Sequence, residues 1–419
     1  MPSARRSWSR LDNAAKIFPS TSEKTDTRVF RFSCELNEEI KCEILQNAVD
    51  RALADFPVYH CVMRHGLFWY YLEQTDIKPI VREEYKHPCA ALYMGESDRL
   101  LFEVTYYKKR INLEIYHVLA DGTGAMQFLK AIVYNYLTTA HSDVFADNMP
   151  EFDSDSSISN KSDDSFRKYY QKQKRVKTPK PKKVYHLKGA KNEDDILNIT
   201  EVSLSVKELI AAAHKYNTTM TVFLTAVFIE SLHRTMTVAE ESQPIVIMVP
   251  VNLRNFFPSD TAKNFFGMIS VKYCYKERSG EFDDLISSVN EQFKEQLTKE
   301  KLSIRMNRLA SLEHNPFVKI APLPFKNFVL HTARRIGVKS ETVVISNVGK
   351  VLMPAEFDSY IKRFSVFAST LKLQLCVCSF GDVLSLDFSS AFISTQVQCN
   401  FVRMLTKDNI SVEIQNNEI

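Results

Sequence analysis

No stretch of this chain approaches the ~18 consecutive apolar residues of a membrane-spanning helix. The longest candidates, Thr221 to Leu232 and Ile245 to Val251, suit a core helix and a buried strand. The opening MPSARRSWSRLDNAAKIFPS is basic but has no apolar core, which argues against a secretory signal. Eight cysteines contain no C-x-x-C pair and no spaced Cys/His cluster, so neither a metal nor a redox dithiol is expected. Cys376 and Cys378 fall at strand spacing among Leu373, Leu375 and Val377, as buried reduced thiols of a cytoplasmic protein would. There is no glycine-rich phosphate loop, hence no nucleoside-triphosphate chemistry, and no G-x-S-x-G elbow to carry a serine nucleophile. The net charge of +4 is too small to call for a nucleic-acid partner, and none is expected.

What is present is an ordinary soluble composition, 45% apolar and 25% charged, in 419 residues, enough for two lobes. Composition changes sharply between Pro150 and Asp195. An acidic, serine-rich run, EFDSDSSISNKSDDS, precedes Arg167 to Lys191, which holds eleven Lys/Arg and no acid. Low apolar content and clustered charge mark a crossover linker. Its basic part is either a solvated connector or a surface for anionic partners, a membrane among them. The expected organisation is an N-terminal lobe over 1–150, a charged linker over 151–195 and a C-terminal lobe over 196–419.

Both lobes mix strands and helices, an α/β (α+β) class. Val29 to Cys34 alternates as a strand, and Glu38 to Ala54 has helical spacing. Tyr59 to Met63, Leu67 to Leu72 and Leu100 to Tyr107 read as further strands. In the second half, strands are predicted at Ile199 to Leu204, Ile245 to Leu253 and Met268 to Tyr275, and helices at Thr221 to Met236 and Asp283 to Leu297. Ser205 and Glu208 form a capping box. Two hairpins followed by helices, Leu101 to His117 and Leu371 to Ser389, form a weak internal repeat. Laying Val383–Ser389 over Ile111–His117 sets Ser389 opposite His117. One surviving base then implies one site, in the cleft between the lobes.

That base sits in Ile111 to Leu129, INLEIYHVLADGTGAMQFL, with His117, Asp121 and Gly122 in the spacing H-x-x-x-D-G. Ile111, Leu113, Ile115 and His117 share one strand face, and Thr123 to Leu137 follows helical spacing. Three fixed residues alone are a weak signal, and a hydrogen-bonded, inert strand-end histidine is the competing reading. The strand–loop–helix setting favours a base at the edge of a poorly hydrated cleft.

The chain resembles the chloramphenicol-acetyltransferase-like superfamily of CoA-dependent acyltransferases, most of all its alcohol acetyltransferases. The resemblance runs from RLDNAAKIFPS through the H-x-x-x-D-G motif to VPVNLRNFFP (Val249 to Pro258) with Asn264, Phe265, Phe266 and Gly267. It continues in Ser346, Asn347, Val348 and Gly349, an S-N-x-G segment. Tyr116 stands where condensation domains carry a second histidine, which argues against peptide-bond formation on carrier proteins. The plant subgroup's D-F-G-W-G segment is absent.

The resemblance implies two chloramphenicol-acetyltransferase-like lobes with the active site between them. It makes His117 a general base that takes the proton of an acceptor hydroxyl as the oxygen attacks a thioester. Such a base contributes about 10²–10⁴-fold. Asp121 would turn away and pair with an arginine, for which Arg254 is the candidate; capping the following helix is the alternative. Gly122 would keep the wall beside His117 open. Asn264, Ser346 and Asn347 are candidates for the oxyanion or substrate, and Lys350 for the phosphates of CoA. No bound cofactor or metal is implied; acyl-CoA is the co-substrate and an alcohol the acceptor.

The expected activity is acyl transfer, with acetyl-CoA foremost, by a monomer. An acyl carrier protein as donor, and a non-catalytic two-lobed binder, are the alternatives. Should a membrane be contacted, residues 167–191 are the expected segment, a solvated connector being the alternative. Phe256, Phe257, Phe265, Phe266 and Met268 suggest an apolar second-lobe wall.

Overall fold

The computed structural model describes residues 7–93, 95, 98–152, 163–171, 183–192, 194–313, 316–407 and 409–417. Most of the acidic run and the centre of the basic block, 172–182, lie outside these residues.

The first lobe opens with β1 (Trp8–Arg10) and β2 (Val29–Leu36), followed by α1 (Cys42–Asp55). Strands β3 (Cys61–His65), β4 (Tyr70–Gln74), β5 (Arg82–Glu83), β6 (Phe102–Tyr107) and β7 (Arg110–Tyr116) lead into α2 (Gly122–Ala140). Alternation sets the faces of the β2–β7 pair. Phe30, Phe32 and Cys34 lie opposite Ile115, Leu113 and Ile111 on the apolar face. Arg31 and Ser33 lie opposite Glu114 and Asn112 on the other face, where they pair at 3.1 and 2.7 Å.

The second lobe begins with β8 (Asn198–Ser205), α3 (Val206–Lys215) and α4 (Met220–His233). Ser205 caps α3 by accepting from the Glu208 amide at 3.3 Å. Helix α4 is buried on nearly every side, which explains its unbroken apolar run. There follow β9 (Ile245–Asn252), β10 (Phe266–Tyr273), α5 (Phe282–Gln296), α6 (Lys299–Glu313) and α7 (Leu323–Val338). The chain ends with β11 (Val343–Lys350), β12 (Ile361–Ala368), β13 (Leu373–Phe380), β14 (Val383–Ser390), α8 (Gln396–Lys407) and β15 (Val412–Asn416).

The larger sheet has seven strands, in the order β10-β9-β11-β13-β14-β8-β15, mixed parallel and antiparallel. Strand β13 belongs to both cores. Leu373, Leu375 and Val377 pack with α4 and α8 in the second core, while Cys376, Cys378 and Phe380 join the first.

One strand departs from the expected division of the chain. Strand β12 lies within the 196–419 half yet pairs antiparallel with β2, completing the five-stranded sheet β12-β2-β7-β6-β5. The reason is local. Phe364 and Val366 complete the first core, and Arg363 reaches Glu35 at 2.8 Å and the Ser203 hydroxyl at 2.7 Å. Beneath it Arg110 holds Glu201 at 2.7 Å, and Asp387 accepts from the Val366 amide at 2.7 Å. Complete burial, with Glu201 nearby, keeps the Asp387 carboxyl protonated well above its usual range. The lobes are therefore joined by an exchanged strand and a buried polar network rather than by contact alone.

The hairpins repeat as expected, shifted by one residue. Anchored at their turns, Tyr107↔Arg110 corresponds to Phe380↔Val383. Leu384, Leu386 and Phe388 then match Ile111, Leu113 and Ile115, so Ser390, not Ser389, occupies the place of His117. Ser389 points to the opposite face, where it accepts from the Ala368 amide at 3.3 Å.

Candidate active site

His117 is the first residue beyond β7, held there by its amide donating to the Arg28 carbonyl at 2.8 Å. Its ring stacks on Phe18 at 4.4 Å and meets the edge of Phe30 at 5.0 Å. Phe266 from the second lobe lies 5.6 Å away on another side. Burial among these rings pushes the imidazole below its ordinary 6.5; the Asp121 carboxylate opposes that shift without cancelling it. A neutral imidazole at neutral pH follows.

Its tautomer is set by Asn264. The Asn264 amide nitrogen donates to the His117 carbonyl and to Asp12 Oδ2, each at 3.0 Å. Its oxygen is then left to face His117 Nδ1 at 3.0 Å, so Nδ1 carries the proton. Nε2 is the basic nitrogen and has no protein partner among the described residues. Asp12 is fully buried, and that burial raises its carboxyl to about 7 against the lowering effect of hydrogen bonds from Ala15 and Asn264. Asn264, expected as an oxyanion or substrate contact, thus holds the His117 ring through Nδ1, and both ends of its amide are engaged. Asp12 escaped the sequence reading altogether, although it lies within the quoted segment RLDNAAKIFPS.

Asp121 does both things considered for it. It caps α2 by accepting from the Gly124 amide at 3.1 Å, and it pairs with Arg254 at 2.8 Å. It also accepts from the Phe265 amide at 2.7 Å. Arg254 donates in turn to the carbonyls of Thr261 and Lys263, at 2.9 and 2.7 Å. Asp121 is buried and Arg254 only 9% exposed in its side chain, so the pair pins the 259–265 loop, and with it Asn264, against the start of α2.

Gly122 lines the cavity, but a Cβ there would make only ordinary contacts with Phe32 and Val348, at 3.7 and 3.9 Å. The glycine that the packing requires is Gly124, whose added Cβ would lie 1.9 Å from the Ala262 carbonyl oxygen.

Between the lobes lies a cavity of about 490 Å³. His117, Phe30 and Gly122 face it from the first lobe, and Asn252, Ser346 and Asn347 from the second. Asn347 is committed, donating to Thr221 Oγ1 at 2.8 Å and accepting from the Gly349 amide at 2.9 Å. The Ser346 hydroxyl makes no hydrogen bond among the described residues. Lys350 is exposed at the end of β11 and is not part of the cavity wall. Of the expected aromatic wall only Phe266 and Met268 reach the cavity; Phe257 and Phe265 are core residues, and Phe256 packs against the second core. Among the described residues no three His, Cys, Asp or Glu side chains gather as a metal would need.

A family model described as alcohol acetyltransferase matches residues 157–408, more than half the chain. The chain belongs to the alcohol acetyltransferase family. It is an O-acyltransferase with the two-lobed architecture of that superfamily. The matched residues begin after His117, so the motif histidine lies outside them. No curated protein matches the chain significantly. Solved structures agree in fold. Fusarium sporotrichioides TRI101, complexed with coenzyme A and T-2, superposes with a TM-score of 0.64 at 12% identity, covering 97% of this chain and 99% of that one. TRI3 trichothecene 15-O-acetyltransferase from the same organism gives 0.59 at 10% identity over 97% and 95%. The first condensation domain of the CDA synthetase gives 0.58 at 13% identity over 97% of each chain.

Proposed function

We propose that this acyltransferase moves an acyl group from acyl-CoA, acetyl-CoA foremost, to the hydroxyl of an alcohol by direct attack. The observation that carries the reading is the fixed tautomer of His117, whose Nδ1 faces Asn264 and whose Nε2 is the available base in a cavity shared by both lobes. Nε2 takes the hydroxyl proton as the oxygen bonds to the thioester carbonyl carbon. The tetrahedral intermediate then collapses, the C–S bond breaks, and the proton passes to the departing thiolate. No acyl-enzyme is needed.

Ser346 is the proposed oxyanion donor. Asn264 and Asn347 are occupied by other hydrogen bonds, whereas the Ser346 hydroxyl on the cavity wall is not. One such donor is commonly worth ~2.7–4 kcal/mol. Lys350, outside the wall, is the proposed cation for the outer, phosphate-bearing end of CoA. The solved complex of TRI101 with coenzyme A supports this donor by analogy of fold. A monomer in the cytoplasm completes the proposal; one chain supplies every residue named, and all eight cysteines are unpaired.

Condensation domains share the fold, and a carrier-protein thioester would present the same bond to His117. Tyr116 favours the CoA reading. It stands where a second histidine would be, and its buried hydroxyl is engaged with Ser22 at 2.9 Å. The deciding experiment measures thiol release from acetyl- through palmitoyl-CoA, with and without short and long alcohols, beside His117→Ala. Release that needs both an alcohol and His117 is the expected result. Release without an acceptor would make the enzyme a thioesterase. No release from any CoA ester would move the donor to a carrier protein.

A further inference from the structure

Helix α7 has an inner and an outer side of opposite character. Its inner side gives Arg334, Gly337 and Val338 to the reaction cavity. Its outer side carries Phe325, Phe328, Val329 and Ile336 at helical spacing, all exposed, with Phe325 at 61% and Phe328 at 70%. The patch does not end with the helix. The Leu323 amide donates to the Leu67 carbonyl at 2.9 Å, and Lys326 Nζ to the Phe68 carbonyl at 2.8 Å. These bonds fix the tip of the β3–β4 hairpin beside α7, with Leu67 81% exposed and Phe68 45% exposed.

The charges carried by this stretch of the chain have one sign, while Glu23 and Asp26 of the first lobe pair with Arg334 on the inner side. From Pro316 to Ser340 the chain has five Lys/Arg and no acid. Lys319, Arg335 and Lys339 are exposed. At the hairpin side a cleft of about 650 Å³ is walled by Trp8, Trp69 and Tyr71 together with Arg10, Lys16, Lys319 and Arg167, the last paired with Asp164 at 3.2 Å. Its one acid, Glu73, is paired with Arg64 at 2.9 Å. Both tryptophans of the protein are on that wall.

We propose that the outer face of α7 and the β3–β4 tip form a docking surface for an anionic phospholipid bilayer, with the aromatic, cationic cleft receiving lipid phosphate. Exposed phenylalanines on an amphipathic helix, flanked by cations and bordered by tryptophan and tyrosine, combine the features that hold a helix in a membrane interface. The patch is a set of protruding side chains, which a fluid bilayer accommodates without matching shape. A second copy of the chain would set cation against cation. Docking in this way brings the wall of the reaction cavity to the bilayer surface. Arg167, the first residue of the basic 167–191 segment, borders the cleft, whereas the outer face of α7 and the β3–β4 tip lie outside that segment.

The test is flotation of the full chain with vesicles of phosphatidylcholine, alone and with added phosphatidylserine, in low salt and in about 0.5 M salt. Two double variants run beside it, Phe325→Ser with Phe328→Ser, and Lys319→Glu with Arg335→Glu. All four side chains are exposed, and melting together with thiol release on a soluble short alcohol confirms that fold and chemistry are intact. Expected is binding to phosphatidylserine vesicles that high salt weakens, and that falls roughly tenfold or more in each double variant. No binding by the wild type overturns the proposal. So does undiminished binding by the phenylalanine variant, which would place the contact away from the face of α7. Unchanged vesicle binding with turnover lost only on a carrier-protein thioester would assign the face to a protein partner and likewise overturn it. Vesicle binding is read apart from turnover, so this inference and the proposed reaction fail independently.

Discussion

Strands β7 and β14 hold the same place in their two sheets. Each is the second arm of a hairpin, each pairs with an earlier long strand, β2 or β8, and each leads into a helix, α2 or α8. The neighbours match too: β12 and β15 flank the early strands antiparallel, and β5 and β11 run parallel to the first arms. Yet one strand ends at His117 and the other at Ser390. Ser390 serves only its own turn, accepting from the Phe392 amide at 3.0 Å and donating to the Phe392 carbonyl at 3.2 Å. His117 is instead held from the other lobe, by Asn264. A repeated topology supplies two equivalent strand ends; the one at His117 receives a partner across the cleft, and the proposed chemistry is placed there.

The largest expected effect comes from removing the proposed base. His117→Ala lowers kcat by about 10²–10⁴-fold with little change in melting temperature. In the wild type, turnover should rise with pH as the imidazole loses its proton, with a midpoint below 6.5 because burial depresses it. A midpoint above 6.5 would contradict the desolvated setting. The same group affects stability with a definite sign. An unfolded histidine takes up its proton first, so its stabilising share is present above 6.5 and lost as pH falls.

Arg254→Ala comes next and should act mainly on stability. It leaves Asp121 charged and buried without its cation, at a cost of about 3–5 kcal/mol. Activity should fall with it, since the 259–265 loop carries Asn264. Unchanged thermal or denaturant unfolding would show that the pair is not what joins the loop to α2.

Asn264→Ala should resemble His117→Ala in kind but be milder, about 10²-fold in kcat, because the imidazole stays and only its orientation is lost. Asp12→Asn isolates the outer end of this chain of contacts. Unfolded Asp12 ionises near 3.8 and folded Asp12 near 7, so across that window the unfolded state binds fewer protons and stability falls as pH rises. The variant should therefore gain in melting temperature over wild type as pH rises from 4 to 7, and not below.

Two neighbouring glycines give a sharper pair. Gly124→Ala forces a Cβ onto the Ala262 carbonyl and should cost about 1–3 kcal/mol, whereas Gly122→Ala stays within about 1 kcal/mol of wild type. The smallest effect is reserved for the silent strand end. Ser390→Ala should cost about 1 kcal/mol and leave kcat unchanged, which denaturant curves and initial rates would check.

Most local structure was legible in the sequence, since it rests on interactions within a few residues. Alternation in Ile111–Ile115 and helical spacing after Asp121 located β7 and α2, and the Ser205–Glu208 cap marked the start of α3. The family resemblance carried by VPVNLRNFFP implied Arg254 as the partner of Asp121, and the structure pairs them at 2.8 Å. Errors came where the deciding contact is distant. The hairpin overlay slipped by one residue because composition alone does not mark the turn register that sets which face each serine takes. The phenylalanines of 256–266 look alike in sequence, and burial against the second core sorts them.

His117 at the end of an apolar strand face, a loop, a helix, and two mixed α/β halves about a charged segment all follow from residue order, because periodicity and turn chemistry are local. The passage of β12 into the first sheet, the hold of Asn264 on the imidazole, and the burial of Asp12 do not. Asp12 and Asn264 are 252 positions apart, and His117 and Asn264 are 147 apart. Only the closing of one lobe on the other brings Asn264 onto the imidazole, which sets its tautomer, and buries the ring, which lowers its pKa.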